Sequence, residues 1–74
     1  MTPVQCRMAR AWLGMTLGML ARASGLSWKT IWCFETGQRS PHRATLQRLR
    51  QSLEARGAVI SDTDAGMVKI MVRR

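Results

Sequence analysis

Few side chains in this 74-residue chain are equipped for covalent or acid–base chemistry. Two cysteines, Cys6 and Cys33, and one histidine, His42, are the only soft ligands, and they are scattered along the chain. Their spacing fits no tetrahedral zinc pattern. Four carboxylates, Glu35, Glu54, Asp62 and Asp64, leave little material for general acid–base catalysis. There is no Gly-rich phosphate loop and no Ser/His/Asp set, and His42 has no evident catalytic partner. An enzyme, a metal site and a bound cofactor are therefore not expected. The two thiols read as reduced in a cytoplasmic protein, because small secreted scaffolds use denser cysteines.

What remains is charge. Lys and Arg number 12 against 4 Asp and Glu, a formal net charge of +8. A chain this short buries only about 60% of the surface that its unfolded form exposes, so it makes one small core and no deep pocket. Its function must sit on its surface. A surface this basic expects a polyanion: nucleic acid first, acidic protein or anionic membrane second. Residues 1–61 carry 9 basic and 2 acidic side chains, a net of +7, while 62–74 carry 3 and 2, a net of +1. The charge therefore belongs to the part of the chain read below as helical. At 46% apolar, the composition is that of a folded domain rather than a disordered one.

The elements that must present this charge can be read from periodicity and punctuation. Thr2-Pro3-Val4-Gln5 has the form of a capping box with proline at the first helical position. Cys6, Ala9 and Leu13 then share one helical face, and Gly14 ends the run. Thr16 opens a second, short helix with Leu20 and Ala21 inward and Ser24-Gly25 at its end. Ser27 caps a third, with Ile31 and Phe34 buried and Gly37 closing it. Ser40-Pro41 signals a fourth helix from about Ala44 to Arg56, with Leu46, Leu49 and Leu53 inward and Gly57 closing it. Arg48, Arg50 and Arg56 read as its solvated face.

From Ala58 the period changes. Ala58-Val59-Ile60 reads as a strand and Ser61 to Gly66 as a turn. From Met67 to Val72 the chain alternates, with Val68, Ile70 and Val72 on one face and Met67, Lys69 and Met71 on the other. The prediction is a helical unit over 1–57 and a C-terminal β-hairpin over 58–74. An isolated hairpin is marginal in water. It needs cover from the helices or from a second copy, which makes it a candidate dimerisation element. The first 25 residues also mimic a secretory leader, with an apolar run from Ala11 to Ala21. That run is too short to span a bilayer, and no membrane role is expected.

The segment from Met15 to Gly37 carries the most information. Two short helices meet at a tight turn, where Ala21 permits close approach, Gly25 turns the chain, and Leu26, Ile31 and Phe34 lock the second helix. This is the packing requirement of a helix-turn-helix. In Leu20-Ala21, Gly25-Leu26-Ser27, Thr30-Ile31, Phe34-Glu35, Gly37 and Pro41 the sequence resembles the Xre/Cro-repressor type of helix-turn-helix regulator. The likeness is to short bacterial versions ending in a β-hairpin, and it runs from about Pro3 to Ile60. It implies a mostly α fold of four to five helices with a short C-terminal hairpin. It implies a transcriptional regulator that binds double-stranded, operator-like DNA as a homodimer through its third helix. It also implies an ion pair between Arg10 and Glu35.

Mapped through the resemblance, the DNA-facing positions are Ser27, Trp28, Lys29, Cys33 and Thr36, with Arg39 and Arg43 on phosphates from the connector. Leu17 and Trp32 fall at positions that are usually polar in the family. Only Lys29 is a strong base-reading donor. Trp28 and Trp32 are i, i+4 neighbours on one outward face. They either fold back over the small core or form an exposed patch that Leu17 and Met19 extend. Met8, Met15 and Met19 read as core filling. A second function therefore stands beside the first. In it the module is an antiactivator whose apolar recognition helix, through Leu17, Trp28 and Trp32, binds and inhibits another regulatory protein such as a transcription activator.

Overall fold

The computed structural model describes residues 1–64 and 66–70. Four helices come first: α1 (Pro3–Trp12), α2 (Leu17–Ser24), α3 (Trp28–Glu35) and α4 (Arg43–Glu54). A two-stranded antiparallel hairpin follows, β1 (Ala58–Ile60) and β2 (Val68–Ile70), with Ala58 opposite Ile70, Val59 opposite Lys69 and Ile60 opposite Val68. The protein is thus mostly helical, with four helices rather than five among the described residues.

Local chemistry accounts for the first three helix starts. Thr2 Oγ1 accepts from the Gln5 amide at 3.2 Å, and Gln5 Oε1 accepts from the Thr2 amide at 2.9 Å, closing the capping box of α1. Thr16 caps α2 by accepting from the Met19 amide, and Ser27 caps α3 by accepting from the Thr30 amide. Between α2 and α3 the chain turns on Gly25, which is left-handed at φ 72°, a conformation that L side chains rarely adopt. The Leu26 amide closes this turn onto the Ala21 carbonyl at 3.1 Å. The fourth helix starts at Arg43, one residue earlier than expected, with His42 as its cap residue and no side-chain cap bond. Arg43 is therefore the first residue of α4, not part of the connector. The helix also ends at Glu54, and Gly57 at φ 108° turns the chain into β1.

One core joins these elements. Cys6 and Ala9 of α1, Leu20 of α2, Ile31 and Phe34 of α3, and Leu49 and Leu53 of α4 are buried together with Met15. Helix α2 packs against both α3 and α4, while α1 packs against α3 and the hairpin. Of the methionines expected to fill the core, Met15 is buried and Met8 is half-buried against it, but Met19 is exposed. Leu17 is half-buried against the core. Its side chain is therefore partly withdrawn from the apolar patch proposed for it, because the first turn of a short helix cannot turn Leu17 fully outward while Leu20 faces in.

The hairpin lays Ala58, Ile60 and Val68 onto α1 and α4 and turns Val59, Met67 and Lys69 outward. This matches the expected alternation at Met67, Val68 and Lys69. The Ile70 side chain, Met71 and Val72 lie outside the described residues. Two polar anchors hold the hairpin. Buried Gln5 directs Nε2 at the carbonyls of Ser61 (2.6 Å), Asp64 (3.1 Å) and Met67 (3.2 Å). Arg50 donates from Nη2 to the Ile60 carbonyl at 3.0 Å, pairs with Asp62 and reaches Glu54 Oε2 at 3.3 Å. Arg50 is thus a strut between α4 and the hairpin and not part of a merely solvated face. The alternation of β1 draws Ile60 in, and that brings its carbonyl and Asp62 beside the arginine.

Candidate functional site

The orientation of α3 is set from beneath by a buried charge knot. Glu35, in the last turn of α3, accepts two parallel hydrogen bonds from Arg10, Nε to Oε2 and Nη2 to Oε1, both 2.9 Å. Arg10 Nη1 also donates to the Met15 carbonyl at 3.0 Å, so one guanidinium ties α1 to the approach of α2 and to α3. The Cys6 thiol donates to Glu35 Oε2 at 3.4 Å. The Glu35 side chain is 4% exposed and Arg10 23%. The hydrogen bond to Glu35 raises the Arg10 pKa above its ordinary value. Burial, with the Glu35 carboxylate second, pushes the Cys6 thiol strongly upward, so it stays protonated.

With its inner face held, α3 turns the opposite face to solvent. Trp28 is 58% exposed and Trp32 39%. Neither indole folds back into the core, and the two stand at i, i+4 on one surface. Lys29 and Thr36 are exposed and Cys33 is half-buried. Two of the hydroxyls are partly committed. Thr36 Oγ1 donates to the Trp32 carbonyl at 2.8 Å, and Ser27 Oγ serves the cap and shares a 2.8 Å bond with Thr30 Oγ1.

Ser27, Lys29, Thr30 and Cys33 of this region meet Arg39 and Pro41 of the connector around a shallow depression of about 280 Å³. Four of the expected DNA-facing residues, Ser27, Lys29, Cys33 and Arg39, therefore converge. Trp28, Thr36 and Arg43 do not line this cup. Arg43 instead stands at the uncapped start of α4, beside His42. A helix start leaves four backbone N–H groups without intrahelical partners and carries partial positive charge. None of the four helices has an acid in its first turn. A cation at the α4 start opposes the helix dipole, an arrangement that an incoming anion would relieve.

The distribution of carboxylates sharpens the field. Glu35 is held by Arg10, while Glu54 and Asp62 are both held by Arg50. The Arg50 bond is also the main cause that holds Asp62 below its ordinary pKa. Asp64 lies on the hairpin turn, accepting from the Gly66 amide. Among the described residues, Arg7, Arg22, Lys29, Arg39, Arg43, Arg48, Arg56 and Lys69 are exposed and have no carboxylate within 4.0 Å. The helical body therefore presents cations to solvent with no unpaired acid among them.

Sequence reasoning missed three residues. Trp12 is 71% exposed at the end of α1. It lies seven positions after Gln5, hence on the same side of the helix, and the hairpin covers Gln5 but not Trp12. Gln5 was read only as a helix cap and Arg50 only as solvated, because both find their partners far along the chain. Among the described residues no group of three or more His, Cys, Asp or Glu is placed to hold a metal ion, and no helix is long and apolar enough to cross a membrane. No protein-family model and no curated protein matches the chain.

Proposed function

We propose that this chain is a small Xre/Cro-type helix-turn-helix regulator of transcription that binds operator-like duplex DNA in the cytoplasm as a homodimer. The observation that carries this reading is the all-cationic rim of α3: Lys29 and Arg39 around one cup, Arg43 at the uncapped start of α4, and every helical carboxylate locked away by Arg10 or Arg50. Helix α3 enters the major groove. Ser27, Lys29 and Cys33 approach base edges, Trp28 approaches thymine methyls, and Thr36, Arg39 and Arg43 meet phosphates. The outer face of the hairpin, with Val59 and Met67 exposed, supplies the dimer contact. Arg39 and Arg43 from two protomers make four phosphate-neutralising cations, for a slope of log K against log salt of about −4. Electrophoretic shift of upstream DNA across salt tests this. Absence of any shift at low salt ends it.

A second reading is favoured by one specific observation, the exposure of both Trp28 and Trp32. Two indoles on one helix face form an apolar patch of the kind that marks a partner surface. In this reading the protein is an antiactivator that caps another regulator, with Trp28 and Trp32 as hot spots and Leu17 at the margin. Trp32→Ala then abolishes capture of that regulator while leaving the helical circular-dichroism signal unchanged. Equal capture by the variant eliminates the reading.

A further inference from the structure

The eight exposed cations do not all surround α3. Arg22 in the last turn of α2, Arg48 on α4 and Arg56 just beyond α4 lie along the seam where α2 packs on α4. Two shallow depressions follow this seam and share Ala23 and Arg56. One, of about 290 Å³, is lined by Ala23, Ser24, Arg48, Gln51, Ser52, Ala55 and Arg56. The other, of about 240 Å³, includes Arg22 and Met19.

The Arg48 guanidinium reaches over the α2–α3 turn, where a Cβ on Gly25 would stand 2.7 Å from Nη2. It has no hydrogen-bond acceptor and no carboxylate there among the described residues. Arg56 uses one donor, Nη1 to the Ser52 carbonyl at 3.3 Å. One cation near the C-terminus of α2 would complement its dipole. Three cations with almost all their donors unused exceed that need.

We propose that this seam is a second site for a nucleic-acid backbone, used by a second duplex while α3 holds the first. The floor of the Arg48 end is made of small side chains, Ala23, Ser24, Ser52 and Ala55, which let a sugar–phosphate strand approach closely. It offers no aromatic face on which a base could stack, so phosphates rather than bases are the ligand. The Arg48 end offers no large apolar anchor of the kind that dominates protein–protein contacts, and at the Arg22 end Met19 is a single exposed apolar side chain. No residue of the seam belongs to α3 or to the cup, and α2 presents one side to α3 and another to α4. One protein then bridges two DNA segments.

The inference rests on the DNA-binding reading, so the test separates them. Immobilised upstream duplex captures a labelled second duplex in the presence of wild-type protein, or of the triple variant Arg22→Gln, Arg48→Gln, Arg56→Gln. Single-duplex affinity by fluorescence anisotropy, circular dichroism and oligomeric state are measured alongside. These arginines are exposed and glutamine keeps much of their stems, so the variant folds. Removing three phosphate contacts flattens the salt slope of capture by about 3 and lowers capture at least about tenfold, with single-duplex affinity changed by less than about threefold. Unchanged capture, or single-duplex affinity falling in step with it, overturns the second site. Wild type that binds one duplex but captures no other overturns it and leaves the proposed function standing. Wild type that binds no duplex overturns both.

Discussion

Replacing Glu35 by glutamine keeps the shape of the knot under α3 and removes its negative charge. In the native protein Glu35 accepts both bonds of the Arg10 fork and one from the Cys6 thiol. The glutamine amide can accept through one atom only and turns a donor at the other, toward the guanidinium. Breaking a buried pair on one side costs about 3–5 kcal/mol, because the surviving charge is left without compensation. Arg10 is 23% exposed and keeps its bond to the Met15 carbonyl, which places the loss at the lower end. A loss of about 3 kcal/mol is a large share of the roughly 4–11 kcal/mol expected for a domain of this size. At about 4–8 °C per kcal/mol it lowers Tm by about 12–24 °C. Urea unfolding followed by circular dichroism measures it. In a double-mutant cycle, Arg10→Gln with Glu35→Gln costs less than the sum of the singles. A loss below about 1 kcal/mol, the scale of an exposed pair, refutes the claim that this knot positions α3.

Four further outcomes follow from the packing. Gln5→Ala leaves the hairpin-turn carbonyls without their donor and costs about 2 kcal/mol, with faster hydrogen exchange in β1 and β2; a loss under about 0.5 kcal/mol contradicts the anchor. Gly25→Ala forces a side chain into the left-handed region and against Arg48, costing at least about 1–2 kcal/mol, and Arg48→Ala rescues only part of it. At neutral pH a thiol reagent modifies Cys33 and spares Cys6, since Cys33 is half-buried and Cys6 buried. The folded Cys6 pKa lies above its unfolded value near 9.0, so its share of stability is present below that pH and is lost as pH rises through the folded value. Equal labelling of both thiols, or no loss of stability in alkali for wild type relative to Cys6→Ala, would contradict this.

Local signals were legible because they act over a few residues. Thr2 with Gln5, Thr16, Ser27 and Gly25 mark helix ends by chemistry confined to one turn of chain, and the structure places those ends there. The leucines of α4 and the alternation of the hairpin announce their inward faces in the same way. What the sequence could not display are partners remote along the chain. Gln5 meets Ser61, Asp64 and Met67, and Arg50 meets Asp62, contacts that exist only once the hairpin folds back on α1 and α4. The start of α4, one residue before the expected Ala44, carried no local mark, because its cap residue His42 makes no side-chain cap bond. At the candidate site, composition left Trp28 and Trp32 divided between core and surface. The core is already filled by Ile31 and Phe34 on the opposite face of the same helix, and that leaves the indoles outside.

The central claim is that the cationic rim of α3 and the α4 start hold a DNA duplex. The most direct measurement is the equilibrium constant for upstream duplex DNA, by fluorescence anisotropy, at several salt concentrations for wild type and for Lys29→Ala, Arg39→Ala, Arg43→Ala combined. The account predicts a wild-type slope of about −4 that flattens toward zero when the four phosphate cations of a dimer are removed together with its two base-reading lysines, with the helical signal retained. Wild type that binds no duplex at low salt, or a triple variant with wild-type affinity and slope, would contradict it.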